Sequence, residues 1–484
     1  MRIDKIRIEN FRCFKEIEML FGSKSTIFIG KNGTGKSSII SALKRGLSFM
    51  FAKNKGFKNN LYTSSGSNIR AFGFWDSRFN EIDRVFNYPI SIELEGSFFS
   101  ISSISWKLFK DKSKGKFHST LFKEAQNTIL EHYNNDVEHA ELPLIAYYSD
   151  SYPHILSNVG SVAKQIVSKD VIPRDFGYYG WDDMTNCMEL WRIRYKKISK
   201  YIRDYQIELE RIENQIKQFS ESNVKSNNDN INLLKKRLET VKNEKRITLF
   251  RDEINFIDNK ILKLTEPLRK ELGFINKDFQ IVRLLSNQPT EEAIDSIEFI
   301  FADGSSIFFE MLPQGYKRIF SIALDLAYRN YILNGTDEFD GVVFIDEIEL
   351  HLHPTLQQEI LQRLINTFPK IQFIVTTHSP LIVSNLKADD NQNKIIKLEN
   401  TDLNYSHEPI ENIYGIDYTT GLMDIMDAHY RPSTIDNLID SYVIFKLRNK
   451  EEEALKIWDE IFAIVGEGNK RIENEINDKL EANA

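Results

Sequence analysis

A loop near the amino terminus carries the residue types that bind phosphate. Residues 30–37 read GKNGTGKS, which has the spacing G-x-x-x-x-G-K-[ST]. Glycines let the backbone curl so that its N–H groups face phosphate oxygens, while Lys36 can bridge two phosphates and the Ser37 hydroxyl can bind Mg²⁺. A chance glycine-rich turn is the alternative, but a β-branched run precedes this loop and a helical pattern follows it, as the motif requires. The sequence therefore predicts a nucleoside-triphosphate site formed by Gly30, Lys31, Asn32, Gly33, Thr34, Gly35, Lys36, Ser37 and Ser38.

Two adjacent carboxylates follow a second apolar run. Residues 341–347 read GVVFIDE, the pattern of a short buried strand that ends in Asp346 and Glu347. Side chains alternate along a strand, so the two carboxylates take different roles. Asp346 is placed to hold the Mg²⁺ shell, and Glu347 can orient and deprotonate the water that attacks the γ-phosphate. Taken alone, such a pair could also be a helix N-cap followed by an exposed acid. The phosphate loop upstream favours the catalytic interpretation over this alternative.

A histidine ends a third apolar run. Residues 373–379 read FIVTTHS, and His378 falls at the carboxyl end of the predicted strand, where parallel sheets bind ligands. It can contact the γ-phosphate, although a histidine at a strand end is more often structural. His351 and His353 lie between these two segments, but no further ligands follow at metal-binding spacing, so we interpret them as turn and interface residues.

The segment of residues 312–318, LPQGYKR, precedes a helical pattern and is called the signature segment below. Gly315 and the N–H groups after it could receive a phosphate. A nucleotide bound at the helix that follows the phosphate loop does not require this second helix end from the same subunit. From the residues alone, an ordinary junction between a loop and a helix is an equally good interpretation.

These residues need a scaffold in which strands alternate with helices, which predicts an α/β fold with a mainly parallel sheet. We expect an amino-terminal lobe over 1–185, a helical hairpin over 186–272, a second lobe over 273–400, and a helical region over 401–484. The hairpin is predicted from apolar residues at heptad spacing in its first arm. They are Ile198, Ile202, Tyr205, Leu209, Ile212, Ile216 and Phe219. The six-residue step from Val241 to Ile247 interrupts the pattern of the second arm, so a kink is expected there.

The charge and composition of the chain limit the kinds of function that it can have. The chain has 484 residues and a net charge of −7, whereas residues 190–270 contain 20 basic and 12 acidic residues. The first arm has a run of cations without an intervening acid: Arg192, Arg194, Lys196, Lys197, Lys200 and Arg203. Such a run can contact nucleic acid or an acidic protein, or it can be a solvated helix face. With two cysteines and no long apolar segment, we expect a cytoplasmic protein without disulfides or a membrane span.

Taken in order, the phosphate loop, the hairpin, the signature segment, Asp346-Glu347 and His378 resemble the ABC-type ATPases of the RecF, RecN and structural-maintenance-of-chromosomes group. The opening IRIENFRCF is similar to the first strands of that group, and DEIELHLHP resembles the branch with overcoming-lysogenization-defect nucleases and the Septu ATPase PtuA. LPQGYKRIFSIALDLAYRN and LIAYYSDSY are most similar to PtuA-like ATPases, some of which are attached to retrons. The resemblance covers roughly residues 1–50 and 275–400.

This resemblance implies an ABC-type P-loop ATPase with a parallel core sheet, an antiparallel β subdomain, a coiled-coil hairpin and carboxyl-terminal helices. ATP and Mg²⁺ are the implied cofactors, and Glu347 and His378 the implied catalytic residues. A homodimer or higher homo-oligomer is implied, in which the signature segment reaches a second subunit's ATP through Leu312, Gln314, Gly315 and Lys317. Pro313 stands where many members have serine, which implies slow hydrolysis.

The resemblance also implies a separate HNH nuclease partner, PtuB-like, in antiphage defence, in some cases together with a retron and its RNA or DNA. Overcoming-lysogenization-defect nucleases carry a catalytic Asp-x-Asp pair in a carboxyl-terminal module. No such pair follows His378, so no intrinsic nuclease is expected. Two alternatives stay open: a RecF- or RecN-like DNA-binding ATPase of repair or chromosome maintenance, and a scaffold in which ATP is structural.

Overall fold

The computed structural model describes residues 1–48, 72–80, 82–98, 101–113, 117–120, 141–153, 159–182, 186–221, 227–266, 281–286, 297–336, 340–389, 391–401, 404–411, 413–428, 431–466 and 469–483. Its strands in chain order are β1 Arg2–Phe11, β2 Phe14–Leu20, β3 Ser25–Ile29, β4 Phe79–Asn80, β5 Val85–Phe86, β6 Ile90–Phe98, β7 Ile101–Lys110, β8 Phe117–Thr120, β9 Leu144–Tyr148, β10 Ile281–Ser286, β11 Ile297–Phe301, β12 Ser306–Phe308, β13 Gly341–Ile345, β14 Ile371–Thr376, β15 Asn393–Thr401 and β16 Asn404–Pro409. Its main helices are α1 Lys36–Leu47, α2 Ser161–Val167, α3 Cys187–Glu221, α4 Asn227–Lys242, α5 Lys245–Thr265, α6 Gln314–Asn334, α7 Pro354–Gln357, α8 Ile360–Thr367, α9 Pro380–Ser384, α10 Ser433–Leu447, α11 Glu451–Val465 and α12 Lys470–Asn483.

The core sheet has the strand order β16-β15-β3-β14-β13-β9. Neighbouring strands from β15 to β9 run parallel, and β16 pairs antiparallel at one edge. All residues of β3, β13 and β14 are buried, as expected for strands covered on both faces. The predicted fold class is confirmed in its main feature, a mainly parallel sheet that carries the phosphate loop and both later motifs.

A second, antiparallel sheet has the order β2-β1-β6-β7-β8. Buried and exposed residues alternate along β2, because one face packs on the core while the other meets solvent. Its strands β1 and β2 are joined by a tight turn at Arg12, whose φ is 52°. This is the antiparallel subdomain that was expected, and its turn lies beside the phosphate loop.

The inserted helices form an antiparallel hairpin. Contacts between its arms run in opposite directions along the chain, from Tyr195 with Asp258, through Tyr201 with Glu244, to Glu208 with Arg237. The second arm is interrupted where the sequence indicated, since α4 ends at Lys242 and α5 begins at Lys245. The predicted boundary at 272–273 lies outside the described residues.

The basic run of the first arm is not a continuous exposed surface. Arg194 is only 1% exposed and pairs with the carboxylate of Glu253 on α5, with Nη2 to Oε2 at 2.7 Å. Lys197 pairs with Asp170 at 3.1 Å, and Arg192 pairs with Glu189 at 3.1 Å. The sequence could not show this pairing, because two of these acids are distant in the chain. Arg194 therefore connects the first arm to α5, Lys197 connects it to the segment after α2, and Arg192 pairs within its own helix.

A buried polar cluster holds the helix of the signature segment, α6, against the sheet. Asp325 accepts hydrogen bonds from Tyr148 at 2.7 Å, from Arg329 at 2.6 Å and from the indole of Trp191. These partners come from β9, α6 and α3 respectively. Because each group is buried and bonded, the cluster fixes where α6 begins relative to the core sheet.

Two compact units divide the chain, Met1–Gly415 and Ile416–Ala484. The second has its own apolar core, with Ile439, Ala454, Ile461 and Ile476 fully buried. The expectation that residues 401–484 are helical is wrong at its start, because Asn404–Pro409 forms β16 and extends the core sheet. Within the described residues, every helix is too short or too polar to act as a membrane span.

Candidate functional site: a pocket at the carboxyl ends of the core strands

The phosphate loop forms at the end of β3, where the fully buried strand gives way to positive backbone angles. Gly35 has a φ of 98°, and an added Cβ would lie 2.5 Å from the ring of Phe14. Only glycine fits there, since an L side chain would be strained by the backbone and would clash with the ring. Helix α1 begins at the next residue, so the loop and the amino end of α1 present N–H groups to the same space.

Lys36 folds over this loop. Its ammonium donates to the carbonyl of Gly30 at 2.7 Å and to that of Lys31 at 3.0 Å. Burial lowers the pKa of Lys36 from its ordinary value, while the carboxylates of Asp346, Glu347 and Glu349 act in the opposite direction. The lysine is thus held at the position where phosphate oxygens would meet the loop.

The two predicted carboxylate residues follow β13, and a threonine of the adjacent strand β14 joins them. The Thr376 hydroxyl donates to the carboxylate of Asp346 and accepts from the N–H of Glu347 at 2.9 Å. Glu347 has a φ of 48°, which turns the chain sharply after the strand. Thr376 therefore fixes both residues, a role that the sequence analysis missed.

Arg318, at the end of the signature segment, forms hydrogen bonds to the same turn. It is buried, and its guanidinium donates to the carbonyls of Asp346 at 2.8 Å and Glu347 at 3.3 Å. The same group donates to the carbonyls of Asp150 at 2.7 Å and Tyr152 at 3.1 Å. One side chain thus connects α6 to the segments that follow β13 and β9.

His378 is exposed and follows β14, as predicted. Its backbone N–H donates to Glu349 at 2.5 Å, and the preceding Thr377 hydroxyl donates to the other oxygen of that carboxylate at 2.7 Å. Glu349 lies two residues after Glu347, and the sequence analysis gave it no role. The sequence distinguishes Glu349 only as the third acid of residues 346–349, which read DEIE.

A cavity of about 310 Å³ gathers these residues. From the predicted set it is lined by Asn32, Gly33, Gly35, Lys36, Ser37, Ser38, Asp346, Glu347 and His378, and it also includes Arg12 and Cys13 from the turn between β1 and β2. Of the other predicted loop residues, Thr34 is buried and its hydroxyl donates to the carbonyl of Lys31 at 2.9 Å. Gly30 and Lys31 do not line the cavity, and their carbonyls accept hydrogen bonds from the Lys36 ammonium. Arg12 and Cys13 were missed because nothing local to them shows that their turn folds over the loop.

The donors in this cavity fit magnesium. The Ser37 hydroxyl and the Asp346 carboxylate are oxygen ligands, and Mg²⁺ in nucleotide sites needs one or two such groups, with phosphate and water completing its shell. His353 is not part of such a set, because its ring accepts from the N–H of Thr355 and caps α7. Among the described residues, no group of three or more histidine, cysteine or acidic side chains is arranged to hold a metal.

The signature segment lies elsewhere. Leu312 is buried, Gln314 is exposed, and the Lys317 ammonium donates to the carbonyl of Glu310 at 3.0 Å. Gly315 packs so closely on the 349–353 turn that an added Cβ would lie 2.3 Å from the carbonyl oxygen of His351. The four predicted signature residues are not among those that line the cavity of their own protomer.

Residues 1–383 match the family model described as an AAA ATPase domain. The chain belongs to this family. The retron Vc95 probable ATPase of Vibrio cholerae serotype O1 biovar El Tor is 27% identical over 473 residues, which cover 94% of this chain and 84% of that protein. The retron Ec83 probable ATPase of Escherichia coli is 27% identical over 428 residues, 81% of this chain and 71% of that protein.

A shorter match is to a protein of the Septu system. The Septu protein PtuA of Bacillus mycoides is 40% identical over 102 residues, 20% of this chain and 13% of that protein. Among solved structures, the SMC head domain from Thermotoga maritima aligns with a TM-score of 0.42 at 12% identity, over 85% of this chain and 100% of that one. The Smc head domain of Pyrococcus furiosus aligns with a TM-score of 0.40 at 15% identity, over 85% and 96% respectively. The predicted similarity to retron and PtuA ATPases is confirmed.

Proposed function

We propose that this chain binds ATP with Mg²⁺ in the 310 Å³ cavity and hydrolyses it. The observation that carries the proposal is that most of the phosphate loop, Asp346, Glu347 and His378 line one space although they follow three different strands. Lys36 holds the β- and γ-phosphates, and Ser37 and Asp346 hold the metal, which supplies charge neutralisation for the phosphates. Glu347 accepts a proton from the attacking water, and His378 contacts the γ-phosphate.

We further propose that the pocket is completed by a second copy of the chain. The signature residues Leu312, Gln314, Gly315 and Lys317 lie outside their own protomer's cavity, which supports a role at the nucleotide of a partner. Pro313 offers no hydroxyl at this position, and we expect turnover to be slow. The active unit is then a homodimer or a higher homo-oligomer whose head is built from residues 1–185 and 273–400.

The biological role we propose is control of a separate HNH nuclease, PtuB-like, in antiphage defence, with a retron in some systems. The similarity to retron ATPases and to PtuA supports this role. The chain itself is proposed to have no nuclease activity. We propose the cytoplasm as its location, since its two thiols, Cys13 and Cys187, are not joined in a disulfide and suit a reducing compartment. We also propose that the hairpin contacts nucleic acid, although Arg192, Arg194 and Lys197 are paired within the chain.

The decisive experiment measures ATP binding and phosphate release by the purified chain with Lys36→Ala and Glu347→Gln. We expect Lys36→Ala to lose ATP binding, and Glu347→Gln to bind ATP while its turnover falls by about 100-fold or more. Glu460→Gln, an exposed acid of the second compact unit, is the matched control and should behave as wild type. Wild-type turnover in Lys36→Ala or Glu347→Gln would refute the assignment.

A further inference from the structure

We propose that Glu349 is a positioning residue that fixes the backbone of His378 for ATP hydrolysis. This inference rests on the proposed function. Both carboxylate oxygens of Glu349 are used, one by the N–H of His378 at 2.5 Å and the other by the hydroxyl of Thr377 at 2.7 Å. The donors belong to consecutive residues, so a single carboxylate grips the chain at the point where β14 ends and the histidine projects into the cavity.

Ser379, the residue after His378, is also held by hydrogen bonds. The Ser379 hydroxyl donates to Gln357 at 2.6 Å, and Gln357 in turn donates to the carbonyl of Leu352 at 2.8 Å. The Ser379 N–H donates to the Thr377 hydroxyl oxygen at 3.0 Å. Three consecutive residues of the histidine segment are therefore held by the segment that begins at the catalytic pair and ends in α7. Asp346, Glu347 and His378 are set relative to one another through these bonds.

The chemistry of the contact predicts which substitutions will be tolerated. Alanine at position 349 removes both acceptors and leaves the N–H of His378 without its partner. Glutamine has nearly the same shape: its oxygen can accept from His378, and its amide can donate to the Thr377 hydroxyl. A residue that acts only by holding the backbone should therefore be replaceable by glutamine. A residue that acts by its charge, as a base or a metal ligand, should not.

The test compares Glu349→Ala and Glu349→Gln in ATP binding and in steady-state hydrolysis by the full chain. For Glu349→Ala we expect kcat to fall by about 10- to 100-fold, the cost of a misplaced catalytic group, while the Kd for ATP changes less than about two-fold. Glu349→Gln should recover most of the wild-type kcat. If glutamine is as inactive as alanine, a charge-based role replaces the positioning role and the inference is wrong.

A double-mutant cycle with His378→Ala tests whether Glu349 acts through the histidine. If it does, adding Glu349→Ala to His378→Ala should lower kcat no further, because the positioned group is already gone. A multiplicative loss in the double mutant would overturn the inference. Thr377→Val removes the hydroxyl that donates to Glu349 and accepts from the Ser379 N–H, but it leaves the bond between Glu349 and His378 in place. We expect a smaller loss of kcat that is also absent in the His378→Ala background, and this variant serves if Glu349→Ala does not fold.

The outcomes separate this inference from the proposed function. A wild-type chain that neither binds nor hydrolyses ATP contradicts both. A wild-type chain that hydrolyses ATP, with His378→Ala impaired and Glu349→Ala fully active, contradicts the inference alone. Glu460→Gln again controls for the loss of an acidic side chain at an exposed position.

Discussion

The hydroxyl of Thr376, at the end of β14, donates a hydrogen bond to the carboxylate of Asp346, which follows the neighbouring strand β13. The same oxygen accepts from the N–H of Glu347, so one hydroxyl orients both members of the acidic pair. Strands β13 and β14 are parallel and in register from Gly341 with Ile371 to Ile345 with Val375, which brings their carboxyl ends to the same edge. The position of Asp346, the proposed magnesium ligand, is thus set by the neighbouring strand β14 as well as by β13, which it follows.

This relationship predicts different effects for two substitutions of Thr376. Thr376→Val keeps the shape but removes the hydroxyl, so the Glu347 N–H loses its acceptor and Asp346 loses its donor. We expect ATP turnover to fall by about 10-fold or more and the unfolding free energy to fall by about 1–3 kcal/mol. Thr376→Ser keeps the hydroxyl and should stay close to wild type in both. Equal behaviour of valine and serine in hydrolysis and urea denaturation would show that the hydroxyl has no such role.

Arg318 is predicted to be required for the architecture of the site. It is 2% exposed and its guanidinium donates to four backbone carbonyls, including those of Asp346 and Asp150. In Arg318→Met these carbonyls would lose their bonds to the guanidinium, and among the described residues only that of Glu347 would keep another backbone donor, the N–H of Leu350 at 3.1 Å. We expect a loss of about 1–3 kcal/mol of unfolding free energy. Arg318→Lys keeps the charge, but its ammonium cannot reproduce the planar fork, so it should recover only part of the loss.

The control for that experiment is Arg211→Met on the hairpin, since Arg211 is exposed. It should leave the urea midpoint and the ATPase rate unchanged. An Arg318→Met protein as stable as Arg211→Met would mean that the four bonds contribute little beyond what water supplies.

What could be predicted from the sequence was local. The phosphate loop, Asp346, Glu347 and the break after Lys242 each depend on spacing within a few residues. In the structure the loop lies between β3 and α1, the two acids follow β13, and the break separates α4 from α5. Thr376, Glu349, Arg12 and Cys13 act across elements, and their roles depend on which strands are neighbours, which spacing does not reveal. The pairing of Arg194 could not be predicted for the same reason, because its partner Glu253 lies on the other arm of the hairpin.

The close approach of Gly315 to His351 predicts that the signature segment tolerates no side chain at this position. In Gly315→Ala the new Cβ would lie 2.3 Å from a backbone oxygen, so either the first turn of α6 or the 349–353 turn must move. We expect the unfolding free energy to fall by about 1–3 kcal/mol. Gly160→Ala is the matched control, because nothing lies within 4 Å of its added Cβ and its φ is −60°. If both variants unfold at the same urea concentration, the contact is not constraining.

The hairpin base is predicted to make stability depend on pH. Burial raises the pKa of Asp258 to about 7 from an ordinary value of 3.8, and the hydrogen bond from Tyr195 at 2.8 Å opposes that shift. Between these two values the folded state binds more protons than the unfolded state, so the unfolding free energy should decrease as pH rises towards 7 and then level off. Above pH 7 the charged carboxylate is a cost to the folded state.

Asp258→Asn removes this charge and keeps an oxygen that can accept from Tyr195. It should stabilise the protein at pH 8, and the gain should shrink steadily towards pH 5, where the folded wild type already carries the proton. Urea denaturation at pH 5, 6, 7 and 8 measures the difference, with Asp252→Asn, an exposed neighbour on α5, as the control that should show no such trend. A gain from Asp258→Asn that is the same at every pH would contradict a raised pKa at this position.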